Sequence, residues 1–258
     1  GSTSSYVIDS HVTGMSSITV TGINKGEIGG LIGGTDAMVQ DSSANSIMII
    51  DGSNLSTAGN QMFVGGLVGS TSDSSINMSF ASGSITITNT NNVVYNVGGL
   101  VGSMYSSSYS SIDYVYNSYA LVDISTTNYG EGAAGGLVGK ISKGYDTSTV
   151  ILNSYAAGDV HSTRKYIGGL VGDGGSYIIN SFAVGSLSED SGLTDKIRIP
   201  DFINYLFLVN TYSYDSQTIN GEYTEAKYYP GILNEAWEDI FNDQDFYLRV
   251  LGWNTVFY

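Results

Sequence analysis

Tyrosines and serines are concentrated in one short segment whose composition suits ligand binding, and a second segment adds Lys140, Lys143, Tyr145 and Asp146. Segment 103–114 reads SMYSSSYSSIDY, and segment 140–149 reads KISKGYDTST. Tyrosine with serine is the combination that antibody paratopes use, because the ring supplies rigid amphipathic area and the hydroxyls supply adaptable hydrogen bonds. The pattern predicts a surface that stacks on a sugar ring or grips a protein; the alternative is a pair of ordinary soluble loops. The candidate binding residues are Tyr105, Tyr109, Tyr114, Tyr145 and Asp146.

Two aspartates could hold a metal ion. Asp123 and Asp159 occupy the same position in two similar phrases, NSYALVDI at 117–124 and NSYAAGDV at 153–160. If the copies stack with these side chains outward, the carboxylates lie ~5 Å apart and either repel each other mildly or chelate Ca²⁺ with added carbonyl groups. Two carboxylates alone form a weak metal site. We therefore expect no cofactor, with calcium at Asp123 and Asp159 as the alternative.

Residues for the common catalytic sites are scarce. The two histidines are His11 and His161, and spacing does not exclude a Ser–His–Asp arrangement because triads are assembled in space. There is no nucleophile-elbow sequence and no HExxH zinc motif, and without cysteine there are no thiolate metal sites or disulfides. We therefore predict a protein that is not an enzyme. The enzyme alternative is a β-helical polysaccharide-degrading enzyme that acts through carboxylates in a cleft.

The charge balance argues against several partners. The 258 residues include 24 acidic and nine basic side chains, for a net charge of −15, and Lys25 is the only basic residue before Lys140. Without a basic surface, binding to nucleic acid or to anionic membranes is not expected. No run of ~18 apolar residues is present, so we expect no membrane insertion. The uncharged polar composition favours an extracellular or cell-surface location, and the opening Gly1-Ser2 is typical of a fragment of a longer protein.

A glycine-rich phrase occurs five times along the chain. VGGLVGS is spelled identically at 64–70 and 97–103, and variants stand at 28–34, 134–140 and 167–173. Their first glycines are 36, 33, 37 and 33 residues apart. A self-similar period of about 20–50 residues indicates a solenoid, a propeller or another repeat array.

A second phrase follows four of the five copies. It occurs first as MSFASGSI at 78–85 and last as NSFAVGSL at 180–187, and Met78 interrupts an otherwise constant asparagine column. After the first glycine phrase only a poor match is found, IMIIDGSNL at 47–55. Serine, aromatic and alanine columns follow the asparagine position, and the aromatic column consists of Phe80, Tyr119, Tyr155 and Phe182.

Both phrases are typical of β-strands, since they are short, rich in β-branched and aromatic residues, and bounded by glycine, serine or asparagine. A propeller blade needs four strands and about 40 residues, whereas each repeat supplies two clear strands and a vaguer third. We therefore predict an all-β fold, a right-handed parallel β-helix (solenoid) of about five coils, in which equivalent residues stack ~4.8 Å apart. Glycines then mark corners that need positive φ or close backbone approach, and the asparagine column shares hydrogen bonds along the stack. The predicted core includes Leu31, Leu67, Leu100, Leu137 and Leu170.

The combination G-G-L-V-G and N-S-Y-A-x-G-x-V resembles the GLUG repeat of bacterial surface and secreted proteins. The resemblance covers about residues 28–187. That family includes adhesin-like proteins and non-catalytic regions of IgA-cleaving metallopeptidases, so the resemblance implies a β-helical stalk or binding module whose motif contains no catalytic residue. Met78, and Leu121-Val122 where other copies have a glycine, depart from the pattern.

The two ends of the chain are expected to differ from the repeats. We assign 1–188 to the GLUG-type β-helix and 189–258 to a tyrosine- and acid-rich C-terminal segment that caps the last coil, because an uncovered solenoid end invites edge-to-edge aggregation. Within this cap, YLFLVNTYS at 205–213 predicts a strand, and 234–253 predicts short helix with Asn234 as its N-cap. SITVTG at 17–22 predicts half a coil before the first repeat.

Three functions remain open on the sequence. The connection between the two phrases is roughly six residues longer in the two neighbouring coils that contain 103–114 and 140–149, which predicts that both segments lie at one corner. The first hypothesis is a monomeric, non-catalytic adhesin module that uses this corner to bind a glycan or protein on a host, substrate or neighbouring cell surface. The second is an inert stalk that presents a neighbouring domain, and the third is the polysaccharide-degrading enzyme.

Overall fold

The computed structural model describes residues 5–22, 25–52, 61–88, 93–107, 112–143, 148–174, 176–188, 207–214, 218–219, 222–223 and 232–235. These residues form β-strands and connections, with no helix among them, and therefore no helix in the described part could cross a membrane. The strands, in chain order, are β1 (Tyr6–Ile8), β2 (His11–Thr21), β3 (Gly26–Gly29), β4 (Ile32–Thr35), β5 (Met38–Gln40), β6 (Ser43–Asp51), β7 (Gln61–Gly65), β8 (Val68–Ser72), β9 (Ile76–Asn77), β10 (Phe80–Thr88), β11 (Val94–Gly98), β12 (Val101–Ser106), β13 (Ile112–Tyr116), β14 (Tyr119–Gly135), β15 (Val138–Lys143), β16 (Ser148–Leu152), β17 (Tyr155–Ala156), β18 (Val160–Gly168), β19 (Val171–Asp173), β20 (Tyr177–Ala183), β21 (Leu187–Ser188), β22 (Phe207–Tyr214), β23 (Thr218–Ile219), β24 (Glu222–Tyr223) and β25 (Ile232–Glu235).

The chain winds into a parallel β-solenoid, as predicted. Each full turn contributes a strand to each of four rows, which we name A to D in the order in which a turn passes through them, starting from its glycine phrase. Row A contains β3, β7, β11 and the ends of β14 and β18, and row B contains β4, β8, β12, β15 and β19, one strand from each glycine phrase. Row C begins with β1, β5, β9, β13, β16 and β20, and row D with β2, β6, β10 and β14. The right-handed sense of the winding stays a prediction.

The repeated leucine lies in the interior of the solenoid. Leu67, Leu100 and Leu137 are 0% exposed and Leu170 is 8% exposed, while Leu31 is half-buried and packs on the same core. Since complete burial of a leucine side chain contributes about 1.5–3 kcal/mol, this column is a major source of the stability of the stack. The core prediction is confirmed.

Glycines of the repeated phrase allow the backbones of successive turns to approach closely. A Cβ added to Gly66, Gly99 or Gly136 would lie 2.0–2.1 Å from the carbonyl oxygen of the equivalent glycine in the next turn. The described glycines of the five phrases do not have positive φ. Close approach, and not a left-handed conformation, therefore explains why the phrase needs glycine.

The residues with left-handed backbone conformation at the corners are instead those of the asparagine column. Asn117, Asn153 and Asn180 have φ of 50, 50 and 49°, in the region that asparagine tolerates better than most residues. The Asn153 side-chain amide donates to Asn117 Oδ1 at 3.1 Å, and Asn180 donates to Asn153 Oδ1 at 3.3 Å. The predicted asparagine ladder is confirmed, and it connects row C to row D.

Met78 is the exception in this column, and its replacement should stabilise the protein. Its φ is 45°, although methionine lacks the local hydrogen bonds that make this region accessible to asparagine. We expect Met78→Asn to raise the free energy of unfolding by about 1 kcal/mol, because it relieves strain and extends the amide ladder by one step beyond Asn117. Urea unfolding at one temperature measures the change. Met78→Gly, which relieves the strain without adding an amide, separates the two contributions, and a lower midpoint for both variants would contradict the interpretation.

The serine column forms a second ladder that the sequence did not assign. The hydroxyl of Ser118 donates to the carbonyl oxygen of Tyr116 at 2.8 Å and accepts the backbone N–H of Ser79 at 3.1 Å. The same pair of hydrogen bonds recurs from turn to turn, so each corner amide finds a partner inside the solenoid. The serines of this ladder are Ser10, Ser42, Ser79, Ser118, Ser154 and Ser181.

The first turns contain copies of the second phrase that the sequence comparison missed. Ser43 and Ala44 pair with Phe80 and Ala81 of the next turn, and the preceding Asp41 has a φ of 48°. The assignment of 47–55 as the equivalent of the second phrase is therefore wrong. In the half turn formed by β1 and β2, His11 pairs with Ser43, so the predicted N-terminal half coil is present.

The aromatic column stacks ring on ring along row D. Phe80, Tyr119, Tyr155 and Phe182 follow one another with ring centroids 4.9, 4.9 and 5.0 Å apart and planes within 5° of parallel. Burial by the neighbouring rings raises the pKa of Tyr119 above its ordinary value. Equivalent residues are thus superposed along one axis, as the solenoid prediction required.

Two strands beyond residue 188 continue the parallel stack, while β23 and β24 form a separate antiparallel pair. β22 pairs with β20, and β25 pairs with β22. The strand predicted within 205–213 is confirmed as Phe207–Tyr214. Asn234 as the N-cap of a helix is wrong, because Asn234 and Glu235 belong to β25 and extended pairing with β22 competes with a helical turn there. The remainder of the predicted helix, 236–253, lies outside the described residues.

Candidate functional site

The two tyrosine-containing segments leave and rejoin neighbouring strands. β12 pairs with β15 where the segments begin, and β13 pairs with β16 where they end, so both segments bridge row B to row C at the same corner of adjacent turns. This part of the prediction is confirmed. Tyr109, Tyr145 and Asp146 lie outside the described residues.

Tyr105 and Tyr114 belong to strands, and the interpretation of 103–114 as one continuous loop is wrong. Tyr105 is 45% exposed in β12 of row B, and Tyr114 is 37% exposed in β13 of row C. Alternation along each strand brings these rings to the surface because their neighbours Met104 and Val115 enter the core. The structure therefore positions the two rings on rows that flank the corner.

A groove forms in row C because the second turn has small side chains where its neighbours have large ones. β9 has two residues, whereas β13 and β16 have five each. Asn77 of β9 is flanked by Gln40 of the preceding turn and by Tyr116 of the following turn. The depression has a volume of about 310 Å³ and is lined by Met38, Ser75, Asn77, Tyr114, Tyr116 and Leu152.

Tyr114 and Tyr116 contribute two outward rings from one strand to this groove. They are two residues apart, which places their Cα atoms roughly 6.6 Å apart along the strand. The backbone N–H of Tyr114 donates to Ser75 Oγ at 2.9 Å, so the serine of the short turn holds the longer strand in place. Sequence reasoning identified Tyr114 and missed Tyr116, although the alternating pattern from Ile112 to Tyr116 could have revealed both.

Asn77 has unused hydrogen-bonding capacity in the groove wall. Its Oδ1 is buried and has no hydrogen-bond partner within the described part of the chain. Buried polar atoms without a partner are uncommon in folded proteins. The nitrogen and oxygen of an amide exchange places by rotation about χ2, so either group can turn toward the groove.

A buried carboxyl group lies directly behind the groove. Asp113 precedes Tyr114, points into the solenoid and is 2% exposed. Burial raises the pKa of Asp113 to about 6, a hydrogen bond from the Ser106 side chain opposes the rise, and the negative charge of Asp73 adds to it. Asp73 itself accepts the backbone N–H of Ser107 at 2.7 Å and is one of the charges that organise the corner.

The side chains of Asp123 and Asp159 accept hydrogen bonds from backbone N–H groups. Asp123 Oδ1 accepts the N–H of Asp159 at 3.0 Å, and Asp159 Oδ1 accepts the N–H and the hydroxyl of Ser186 at 2.8 and 2.6 Å. The column thus forms a ladder between turns. Calcium at this pair stays a prediction, and no group of three or more His, Cys, Asp or Glu side chains suited to a metal ion occurs among the described residues.

Asp9, His11 and Ser43 have the composition of a catalytic triad without its environment. His11 Nδ1 lies 2.9 Å from Ser43 Oγ, and His11 Nε2 lies 2.9 Å from Asp9 Oδ1. The Asp9 and His11 side chains are 82% and 39% exposed, so water screens the pair. The aspartate of a working triad is buried and fixes the imidazole, and this cluster therefore fits a surface hydrogen-bond network.

Two comparisons of the sequence with known proteins found no match. No protein-family model matches the chain, and no curated protein matches it at a significant level. The GLUG resemblance therefore remains an expectation that rests on the repeated residues alone.

Proposed function

We propose that this chain is a non-catalytic adhesin module, extracellular or on a cell surface, that binds a glycan or a protein on a host, substrate or neighbouring surface. The observation that carries the proposal is the groove lined by Tyr114 and Tyr116 beside the corner of the two tyrosine-containing segments. Aromatic rings next to hydroxyl and amide groups suit recognition of amphipathic ligands.

The position of the acidic groups supports binding over catalysis. The carboxyl with the raised pKa, Asp113, is inside the solenoid, where a substrate in the groove cannot contact it. Among the described residues that line the groove there is no carboxylate, lysine, arginine or histidine. General acid–base catalysis most often uses a histidine, carboxylate or lysine within hydrogen-bond reach of the substrate.

The test is binding of the purified chain to a glycan array and to surface-protein extracts. We expect Tyr114→Ala, which removes the ring that belongs both to segment 103–114 and to the groove, to lose at least about tenfold in affinity, which corresponds to roughly 1.4 kcal/mol. Leu121→Ala is the control, because Leu121 is also an exposed side chain (44%) but belongs to row D and does not line the groove. Equal melting temperatures exclude an effect of misfolding.

The two alternatives predict different outcomes, one in the binding experiment and one in an assay of sugar release. No binding of the unmodified chain to any glycan or protein would contradict the adhesin proposal and favour the inert stalk. Release of reducing sugars from a polysaccharide panel would favour the polysaccharide-degrading enzyme.

A further inference from the structure

We infer that the row C groove binds an uncharged saccharide chain, with sugar rings against Tyr114 and Tyr116 and a hydrogen bond between a sugar hydroxyl and the Asn77 amide. The inference rests on the proposed function and specifies its ligand class and its residues. Tyr116 and Asn77 are added here to the residues that sequence reasoning assigned to binding.

The electrostatics of the groove select against charged ligands. The six lining side chains carry no charge at neutral pH. The surrounding protein has a net charge of −15 and only nine basic residues, so a polyanion such as a uronate polymer would be repelled. A cationic ligand would lack a carboxylate in the groove to pair with. An uncharged chain is the ligand that this charge distribution accommodates.

The surfaces of the groove match the two kinds of surface of a sugar. A pyranose ring presents C–H groups on its faces and hydroxyl groups around its rim. The exposed faces of Tyr114 and Tyr116, together with Met38 and Leu152, offer apolar contact. The Asn77 amide, in the wall of the same depression, contains a donor and an acceptor, and rotation about χ2 turns either of them toward the groove.

The buried Asn77 oxygen supports a ligand at this position. It has no hydrogen-bond partner in the described part of the chain, and Ser75, its polar neighbour, already accepts the Tyr114 N–H. Because the oxygen has almost no exposed surface, a sugar hydroxyl can donate to it once rotation about χ2 turns the oxygen toward the groove. A ligand would then supply the partner that this oxygen lacks among the described residues.

The size of the groove limits how much of a chain it can hold. Its volume of about 310 Å³ is at the lower end of the roughly 300–1,000 Å³ that is usual for small-molecule sites. The site therefore fits one or a few sugar units of a longer chain and gives modest affinity. An adhesin reaches higher avidity by repeating such contacts along a surface.

Isothermal titration calorimetry with defined oligosaccharides tests the inference. The probes are uncharged oligomers of glucose, mannose, galactose and N-acetylglucosamine, and oligogalacturonates are the charged comparison. We expect binding of at least one uncharged series, a loss of about tenfold or more in Tyr116→Ala, and retention of affinity within about twofold in Tyr116→Phe, which keeps the ring. Asn77→Ala should weaken binding by about two- to tenfold, the effect of one hydrogen bond.

Leu121→Ala is the control, because Leu121 is an exposed side chain (44%) of row D and does not line the groove. Tyr105→Ala tests the row B side of the corner, outside the groove. Binding lost in Tyr105→Ala and kept in Tyr116→Ala would overturn the inference while leaving the adhesin proposal intact. Binding of oligogalacturonates alone, or of a protein alone, would have the same meaning. Absence of binding to every glycan and protein would instead contradict the proposed function itself.

Discussion

Replacement of Gly99 by alanine is expected to lower the free energy of unfolding by more than about 3 kcal/mol, and to lower the melting temperature by roughly 10 °C. The added Cβ would lie 2.0 Å from the carbonyl oxygen of Gly136 and 2.9 Å from the Cβ of Ala120. Contacts under 3.0 Å are not tolerated by real Cβ atoms, so a backbone must move. Thermal unfolding followed by circular dichroism and urea titration measure the change.

The size of the effect follows from the repetition of the contact. A Cβ added to Gly66 would lie almost equally close to the carbonyl oxygen of Gly99, and one added to Gly136 equally close to that of Gly169. A shift of Gly99 therefore cannot be absorbed locally, because the turns above and below are held by the same row of hydrogen bonds. Overpacking in a rigid interior costs more than the volume of one methyl group suggests.

Gly14→Ala is the matched control for this prediction. Gly14 has a φ of 82° and no atom within 4 Å of the position of an added Cβ, so alanine there meets strain without a clash. We expect about 1 kcal/mol of destabilisation from the left-handed conformation alone. If Gly99→Ala cost no more than Gly14→Ala, close approach between turns would not be the reason for the repeated glycine.

The repeated phrases predict the solenoid because their constraints recur in every turn. Ala81 next to Phe80, and Ala120 next to Tyr119, can recur only if equivalent residues are superposed. The copy at Asp41 to Ala44 escaped recognition because its aromatic position holds Ser43, and because aspartate replaces asparagine at the left-handed corner. Aspartate and asparagine both tolerate the left-handed conformation, so the position kept its backbone geometry although its residue type differs.

The groove could not be predicted from motifs, because it depends on what one turn lacks. Ser75 and Asn77 are unremarkable in sequence, and they form a depression only because Met38 precedes them and Tyr116 follows them in row C. The difference in connection length between turns was visible. Alternation within 112–116 separates the two faces of β13 only once a strand is assigned there, and the strand begins at Ile112 inside a segment interpreted as a loop. The inward direction of Asp113 was hidden for the same reason.

Replacement of Asp113 by asparagine is expected to stabilise the protein at neutral pH and to have little effect near pH 4. The pKa of Asp113 is raised in the folded state from an ordinary value of 3.8 to about 6. Below pH 4 the carboxyl is protonated in both the folded and the unfolded state. Between about pH 4 and pH 6 the unfolded state releases its proton first, so the free energy of unfolding of the unmodified protein falls as pH rises.

The gain from Asp113→Asn should therefore grow between pH 4 and pH 6.5 and then remain constant, at no more than about 3 kcal/mol for a shift of this size. Asparagine keeps an oxygen that can accept the hydrogen bond from Ser106 and removes the repulsion by Asp73, so packing is nearly unchanged. Urea unfolding of both proteins at several pH values measures the difference, and carboxylates that are common to both cancel from it. Asp36→Asn removes one charge at an exposed position and controls for net charge. A difference that shrank as pH rose would mean that the ionised Asp113 stabilises the corner behind the groove, and that its burial is compensated by contacts stronger than the hydrogen bond from Ser106.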